Sequence, residues 1–145
     1  MTQNSRFSVA VHSLLLMATS QDKQKMTSNI IAESTGMNAV TIRHAFRQLK
    51  NAGLIEIRPG PGGAKLAMKP AEITLYAIWS AVQEDLFSDI FHLNQNNSKW
   101  CPVGRNVNNI LTHRLESVVD AASEQLRSVT LHDLLDDLNK IEPLQ

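Results

Sequence analysis

The chain has 145 residues, of which 43% are hydrophobic and only 5% aromatic. This size and apolar content suffice for one domain with an extension, and the scarcity of aromatic residues favours aliphatic packing between helices over a β-sandwich. The sequence has no run of roughly 18 apolar residues, so it predicts no membrane-spanning helix. The single cysteine, Cys101, excludes an internal disulfide and a four-thiolate metal site.

The first residues of the chain include an apolar stretch that resembles a secretory signal. Arg6, His12 and Ser13 interrupt this stretch as polar residues do in an ordinary helix, and no small-residue cleavage site follows it. Together with the single cysteine, this favours a cytoplasmic protein.

Charge is distributed unevenly along a chain whose 14 basic and 14 acidic residues cancel. Residues 38–69 contain six basic side chains and one acidic one, whereas residues 70–145 contain five basic and eleven acidic ones. Because salt screens distant charges, phosphate responds to the local surplus rather than to the net charge. The basic segment therefore suits a nucleic acid. The alternative is that these charged side chains only form solvent-exposed faces.

Two helices are predicted near the N-terminus. Apolar residues recur at spacings of three and four from Ser5 to about Ser20, the pattern of a helix. Residues 21–25 are polar and predict a loop. A hydroxyl cap at Thr27 or Ser28 then begins a short helix over Asn29–Thr35.

A third helix follows after a tight turn at Gly36-Met37. Asn38 is a suitable N-cap, and the helix extends to about Ala52, with Gly53 just past its end. Two helices joined by a short glycine-containing turn are typical of the helix-turn-helix motif.

The faces of this third helix are clearly separated. An apolar stripe comprises Ile42, Ala45, Phe46 and Leu49. Arg43, Arg47 and Lys50 share another face, where arginine suits guanine edges or phosphates. Val40 and Thr41 suit a thymine methyl group and a phosphate respectively. This division predicts a DNA recognition helix, and an ordinary solvent-exposed helix is the alternative.

A β-hairpin is predicted directly after this helix. Leu54–Ile57 alternates as a short strand, the turn Pro59–Gly63 contains two prolines and three glycines, and Ala64–Met68 returns as a second strand. Helix-turn-helix followed by a hairpin is the order of a winged helix. Arg58, at the base of this wing, suits a narrow A·T-rich minor groove, and the glycines either approach the DNA or simply form the turn.

These segments resemble the Rrf2 family of bacterial repressors. The resemblance rests on residues 38–55, on Gly60-Pro-Gly-Gly63 and on residues 69–74, and it extends from about Arg6 to Leu126. It implies dimers of winged-helix domains joined by a long C-terminal helix, with the recognition helix in the major groove and the wing in the minor groove.

The resemblance also implies which positions face DNA. It assigns Asn38, Val40, Thr41, Arg43 and His44 on the recognition helix, and Arg58, Gly60, Pro61 and Gly62 in the wing. The charge and hydroxyl pattern adds Ser28 and Arg47. The chain departs from the family at Pro59, where members commonly have arginine, and at Ala64-Lys65, where an aromatic residue is frequent.

The second half of the chain is predicted to be helical. A helix starts at Pro70 or Thr74 and runs to Val82, and a last helix, Leu131–Lys140, opens with a capping box. Between them, Val103–Val129 predicts a helix of about 40 Å. A partner helix in a two-fold dimer accounts for its apolar residues, and packing on its own domain is the alternative. We therefore divide the chain into a winged helix-turn-helix, 1–82, and a segment, 83–145, with a linker loop, the dimerisation helix and the last helix.

Cys101 lies in the polar loop before the long helix. Cluster-bearing relatives have three cysteines in this region, so a single one argues against an iron–sulfur cluster, and no cofactor is expected. An inert thiol beside Pro102 is the favoured interpretation. The alternative is a redox sensor at Cys101, because Lys99, Arg105 and a helix N-terminus lower the pKa of a thiol.

The sequence as a whole predicts a mainly α fold with a small β-hairpin and a DNA-binding function. We expect a sequence-specific transcriptional regulator, a repressor that binds a palindromic operator in double-stranded DNA as a homodimer. A winged helix used only for protein–protein contact is the alternative. The five histidines are scattered without metal-ligand spacing, so neither an enzyme nor a metal site is expected.

Overall fold

The computed structural model describes residues 3–20, 25–83 and 85–143. The helices are α1 (Gln3–Ser20), α2 (Ser28–Thr35), α3 (Ala39–Asn51), α4 (Leu75–Val82), α5 (Leu86–Ile90), α6 (Pro102–Ser128) and α7 (Leu131–Ile141). Strands β1 (Ile55–Ile57) and β2 (Ala64–Leu66) form an antiparallel hairpin between α3 and α4. This arrangement confirms the predicted mainly α fold with a small β-hairpin.

The core joins helices from both ends of the chain. Its largest fully buried apolar side chains are Leu14, Ile31, Ile42, Leu49, Ile73, Ile78 and Leu131. The predicted apolar stripe of α3 is confirmed, since all four of its members are buried against this cluster or at its edge. Burial of such side chains is the dominant stabilising contribution to a domain of this size, at about 25 cal/mol per Å² of apolar surface. The recognition helix is thus held from behind, and its opposite face is free.

The segment between the hairpin and α4 differs from the prediction. Pro70 and Thr74 were expected to start one helix, but Pro70–Glu72 forms a separate 3₁₀ turn. Ile73 is extended and fully buried, which interrupts helical continuity. Thr74 then caps α4 by accepting a hydrogen bond from the Ala77 N–H at 3.0 Å. Burial of Ile73 therefore separates the two short helical elements.

Other differences are small. Helix α5 was not predicted, because five residues are too few to show a helical period; Asp85 caps it through the N–H groups of Phe87 and Ser88. Both strands are shorter than expected by one or two residues at one end. Most of the predicted 21–25 loop lies outside the described residues.

Helix α6 is attached to the winged head, by which we mean α1–α4 with the hairpin. The Arg127 guanidinium lies 3.9 Å from the centroid of the Tyr76 ring on α4. At the end of α6 the backbone returns to the head, because the Leu75 N–H donates to the Val129 carbonyl at 2.9 Å and the Leu131 N–H donates to the Ile73 carbonyl at 2.8 Å. Among the described residues, no helix is long and apolar enough to cross a membrane.

The predicted capping box at the start of α7 is confirmed. The Thr130 hydroxyl accepts from the Asp133 N–H at 3.2 Å, and the Asp133 carboxylate accepts from the Thr130 N–H at 2.8 Å. The hydrogen bond from the Thr130 backbone lowers the pKa of Asp133. The ionised carboxylate lies at the positive end of the α7 dipole and stabilises this helix.

Candidate nucleic-acid interface

Side-chain caps fix the two helices of the helix-turn-helix. Thr27 accepts from the Ile30 N–H at 3.3 Å and begins α2, and Gly36 ends it with a φ of 72°. Asn38 Oδ1 accepts from the Thr41 N–H at 2.8 Å and begins α3. The structure thus gives Asn38, which the family resemblance places at the DNA, a capping role at the start of the recognition helix.

The outer face of α3 is polar and basic. Val40, Arg43, His44, Arg47 and Lys50 are all exposed, and Val40 retains 65% of its accessible surface. A valine so exposed at the start of a helix is available for an apolar contact such as a thymine methyl group. The separation of faces predicted from the sequence is therefore present in the fold.

The wing is positioned by backbone pairing on both sides. Within the hairpin, Glu56 faces Lys65 and their side chains form an ion pair at 3.5 Å. Outside it, the Ala64 N–H donates to the Met26 carbonyl at 2.8 Å, which adds the segment before α2 to the edge of β2. The wing is consequently fixed relative to the helix-turn-helix.

Glycine is required where these elements meet. Gly63 has a φ of 70°, and a Cβ at this position would lie 2.8 Å from the Met26 carbonyl oxygen. Gly60 also has a positive φ, 68°, but a Cβ there would meet no atom within 4 Å. The two glycines therefore have different roles: Gly60 supplies only a left-handed turn conformation, whereas Gly63 also permits close backbone approach.

An open cleft of about 500 Å³ separates α3 from the wing. The residues that line it are Thr27, Ser28, Val40, Arg43, Phe46, Arg47, Ile57, Arg58, Gly60 and Gly63. Six of these were predicted site residues, and Thr27, Phe46, Ile57 and Gly63 were not. Asn38, Thr41, His44 and Gly62 are not among the described residues that line the cleft, and the side chain of the predicted site residue Pro61 lies outside the description. The direct contacts of all these residues with DNA stay predictions.

Three arginines give the cleft its charge. Arg43 and Arg47 come from α3, and Arg58 comes from the wing. Among the residues that the structure describes, none of the three forms an ion pair. The cleft also contains Ser28 at the N-terminus of α2, where backbone N–H groups favour an anion. Unpaired guanidiniums together with a helix N-terminus make this a surface for a polyanion.

Cys101 lies far along the chain from this cleft, as the N-cap residue of α6, and is partly exposed. Side-chain amides hold the loop before it: Asn94 donates to Asn97 at 2.8 Å, Asn97 donates to Asn108 at 3.1 Å, and Asn108 donates to the Asn94 carbonyl at 2.8 Å. Arg105 donates to two further loop carbonyls. This amide network could not be predicted from the sequence, because its members are up to 14 residues apart.

A helix-turn-helix, a fixed wing and a basic cleft between them define a DNA-binding protein of the winged-helix class. The chain belongs to the Rrf2 family, whose model, described as iron-dependent transcriptional regulator, matches residues 3–137. It is a DNA-binding transcriptional regulator, and the members of this family are not enzymes.

Individual relatives agree with this assignment. The HTH-type transcriptional regulator YwnA of Bacillus subtilis is 36% identical over 135 residues, which cover 93% of this chain and 98% of YwnA. The regulator NsrR of Geobacillus kaustophilus is 28% identical over 93% of this chain and 90% of NsrR. The structure of T. potens IscR has a TM-score of 0.69 at 22% identity, covers 97% of this chain and 90% of that one, and shows the same fold.

The family description implies iron, but the residues present do not suit an iron site. Among the described residues, no group of three or more His, Cys, Asp or Glu is placed to hold a metal ion. The loop before α6 contributes one thiol, and its amide side chains are bonded to one another rather than directed to a common centre. Amides in such a closed network are poor ligands for iron.

We predict that Gly63→Ala destabilises the fold more than Gly60→Ala. Both substitutions place alanine at a positive φ, at a cost of about 1–3 kcal/mol. Only at residue 63 does the new methyl group also meet the Met26 carbonyl, which must break or shift the Ala64 hydrogen bond. Urea denaturation of the two variants at one protein concentration measures the difference, and equal losses would contradict the role assigned to Gly63.

Proposed function

We propose that the protein is a repressor that binds a palindromic operator as a homodimer in the bacterial cytoplasm. The observation that carries this proposal is the cleft between α3 and the wing, with its three arginines outside any ion pair of the described residues. A recognition helix of this kind enters the major groove, and the wing covers the adjacent minor groove. Repression follows from occupancy of the operator, because a dimer bound to two successive half-sites prevents polymerase from binding the same DNA.

The long helix supports dimerisation. Its exposed apolar side chains Val103, Ile110, Leu111 and Val118 retain between 39% and 70% of their accessible surface. At about 100° per residue they lie within roughly 100° of one another on the helix, as one stripe. The side that faces the head adjoins this stripe, where half-buried residues recur at Leu115, Val119, Ala122 and Leu126. An apolar stripe of this length suits a second copy of α6 related by a two-fold axis.

Two-fold symmetry sets the geometry of the operator. Two recognition helices related by the axis enter major grooves about 34 Å apart, or a multiple of that distance. The half-sites are therefore inverted repeats whose centres lie about one helical turn of DNA apart. A change in the crossing angle of the two α6 helices would move the two heads out of register with the half-sites and release the DNA.

We further propose that the protein works without an iron–sulfur cluster. The loop before α6 is closed by the Asn94–Asn97–Asn108 network, and Arg105 holds the carbonyl groups of Lys99 and Trp100. These bonds order the loop through the chain's own side chains. DNA binding is consequently expected to survive iron chelation.

The DNA contacts of α3 are tested by comparing Arg43→Ala with Lys50→Ala. Arg43→Ala removes a bidentate contact to guanine, so the free-energy preference for one base pair should shrink by about 1–3 kcal/mol. Lys50→Ala removes a phosphate contact, so binding to all sequences should weaken alike. The slope of the log affinity against the log salt concentration should then become less steep by about 1. Fluorescence anisotropy measures both on the duplex that the wild type selects from a random library and on its single-base variants.

Lys140→Ala is the control for this pair, because Lys140 is an exposed cation on α7, away from the cleft. Binding by the wild type should fall about 10³-fold or more between 50 mM and 200 mM salt if six or more phosphates are contacted. Failure of the wild type to select any duplex would favour a protein-interaction module and overturn the proposed function.

The dimer is tested by Ile110→Asp. A charge in the centre of the apolar stripe has no partner and must be desolvated, so the variant should be monomeric at micromolar concentration. Its operator affinity should fall about 100-fold or more, because each head then binds alone. Asn109→Asp introduces the same charge on the opposite side of α6 and should remain dimeric. Sedimentation velocity separates the two, and a dimeric Ile110→Asp would rule out this interface.

A thiol response is tested at Cys101. The residue begins α6, beside the proposed dimer stripe, so oxidation of its thiol to a sulfenic acid would add a polar group at that junction. We expect a low dose of hydrogen peroxide to weaken operator binding by the wild type and to leave Cys101→Ser unaffected. Equal weakening of both proteins would identify Cys101 as an inert thiol.

A further inference from the structure

The wing has only two cationic side chains, and neither lies at its tip. Lys65 is on β2 and pairs with Glu56 at 3.5 Å. Arg58 follows β1, and its stem lies over the backbone of Gly62, so closely that a Cβ at residue 62 would lie 2.5 Å from the Arg58 Cβ. The tip between them, residues 59–64, contains only proline, glycine and alanine.

The packing on Gly62 determines which way Arg58 extends. Its backbone N–H donates to the Gly63 carbonyl at 2.9 Å, which closes the base of the turn. Arg58 also lines the cleft, together with Arg47 of α3. Arg58 therefore belongs to the same basic surface as the recognition helix.

The position of this cleft identifies what fills it. On the proposed function, α3 enters the major groove and the wing covers the adjacent minor groove. The part of the duplex that separates those two grooves is the sugar–phosphate backbone. A cleft between the two elements therefore receives a backbone phosphate, and two arginines with Ser28 at the α2 N-terminus suit a phosphate.

We infer that Arg58 binds a backbone phosphate together with Arg47, and that the wing does not select A·T pairs through an arginine in the minor groove. This inference rests on the proposed function, because it assigns one contact within that complex. It replaces the expectation that Arg58 enters a narrow minor groove. The uncharged tip of the wing then contacts the DNA through its shape alone. The phosphate contact of Arg58 raises the affinity for every DNA sequence alike.

The test uses the full-length protein and the duplex that the wild type selects from a random library. In a second duplex, 2,6-diaminopurine replaces adenine, which adds an amino group to the minor groove and leaves the major-groove edges unchanged. We expect less than a threefold change in wild-type affinity between these duplexes. We expect Arg58→Ala to weaken both by the same factor, about 5- to 30-fold, and to reduce the salt slope by about 1 for each protomer.

Two further variants separate the contact from an effect on folding. Gly62→Ala keeps the charge of Arg58 but displaces its stem, so it should weaken binding in the same sequence-independent way. Lys65→Ala removes the other wing cation, already paired with Glu56, and should have little effect. Circular dichroism and thermal melting confirm that each variant is folded.

The outcomes are distinct. A tenfold or greater loss on the diaminopurine duplex for the wild type, absent in Arg58→Ala, would show that Arg58 contacts the minor groove and would overturn the inference. Unchanged affinity and salt slope in Arg58→Ala would overturn it as well. Both results leave the proposed function intact, whereas failure of the wild type to select any duplex would overturn the proposed function and this inference with it.

Discussion

The DNA-binding surface depends on one short backbone pairing, from the Ala64 N–H to the Met26 carbonyl. A two-stranded hairpin is only marginally stable alone, so the wing needs a third segment for a fixed position. Met26, in the segment before α2, provides this third segment. Gly63 lets the two backbones approach each other because it has no side chain. Since Thr27 directly follows Met26 and caps α2, the same stretch of chain positions both the wing and the helix-turn-helix. The width of the cleft between them is a consequence of this pairing.

Helix α6 is held at both ends by different means. At its C-terminal end the backbone pairs with the segment before α4, and Arg127 covers Tyr76. At its N-terminal end the amide network closes the preceding loop, and Gly104 lets the Ser98 carbonyl approach the first turn, where a Cβ would collide with it. The helix therefore presents its apolar stripe in one defined orientation relative to the head. Dimerisation through that stripe would fix the separation of the two heads.

Much of this architecture could be predicted from the sequence because the underlying interactions are local. The period of α3 located its buried stripe, and the capping residues Asn38 and Thr130 marked two helix starts that the structure confirms. The uneven distribution of charge along the chain indicated the basic surface before any fold was known. These properties depend on neighbours within a few residues, which a single sequence displays.

The rest depends on contacts between distant residues. The break at Ile73 arises because that side chain fills the core, and the Asn94–Asn108 bond joins a loop to a helix. The direction of Arg58 is decided by its packing on Gly62, which follows from the turn conformation rather than from residue type. The family resemblance suggested a minor-groove arginine, and only the fold shows that Arg58 lines the same cleft as the arginines of α3.

The last helix has a consequence for how the chain is completed during synthesis. Leu131 is fully buried among residues of α1 and of the segment before α4, and Leu134 packs against the same core. The winged head therefore lacks part of its interior until the ribosome has released more than 130 residues, although its own elements end near residue 82. Closure of the core beneath the DNA-binding surface is thus a late event in synthesis, coupled to the arrival of α6 and α7.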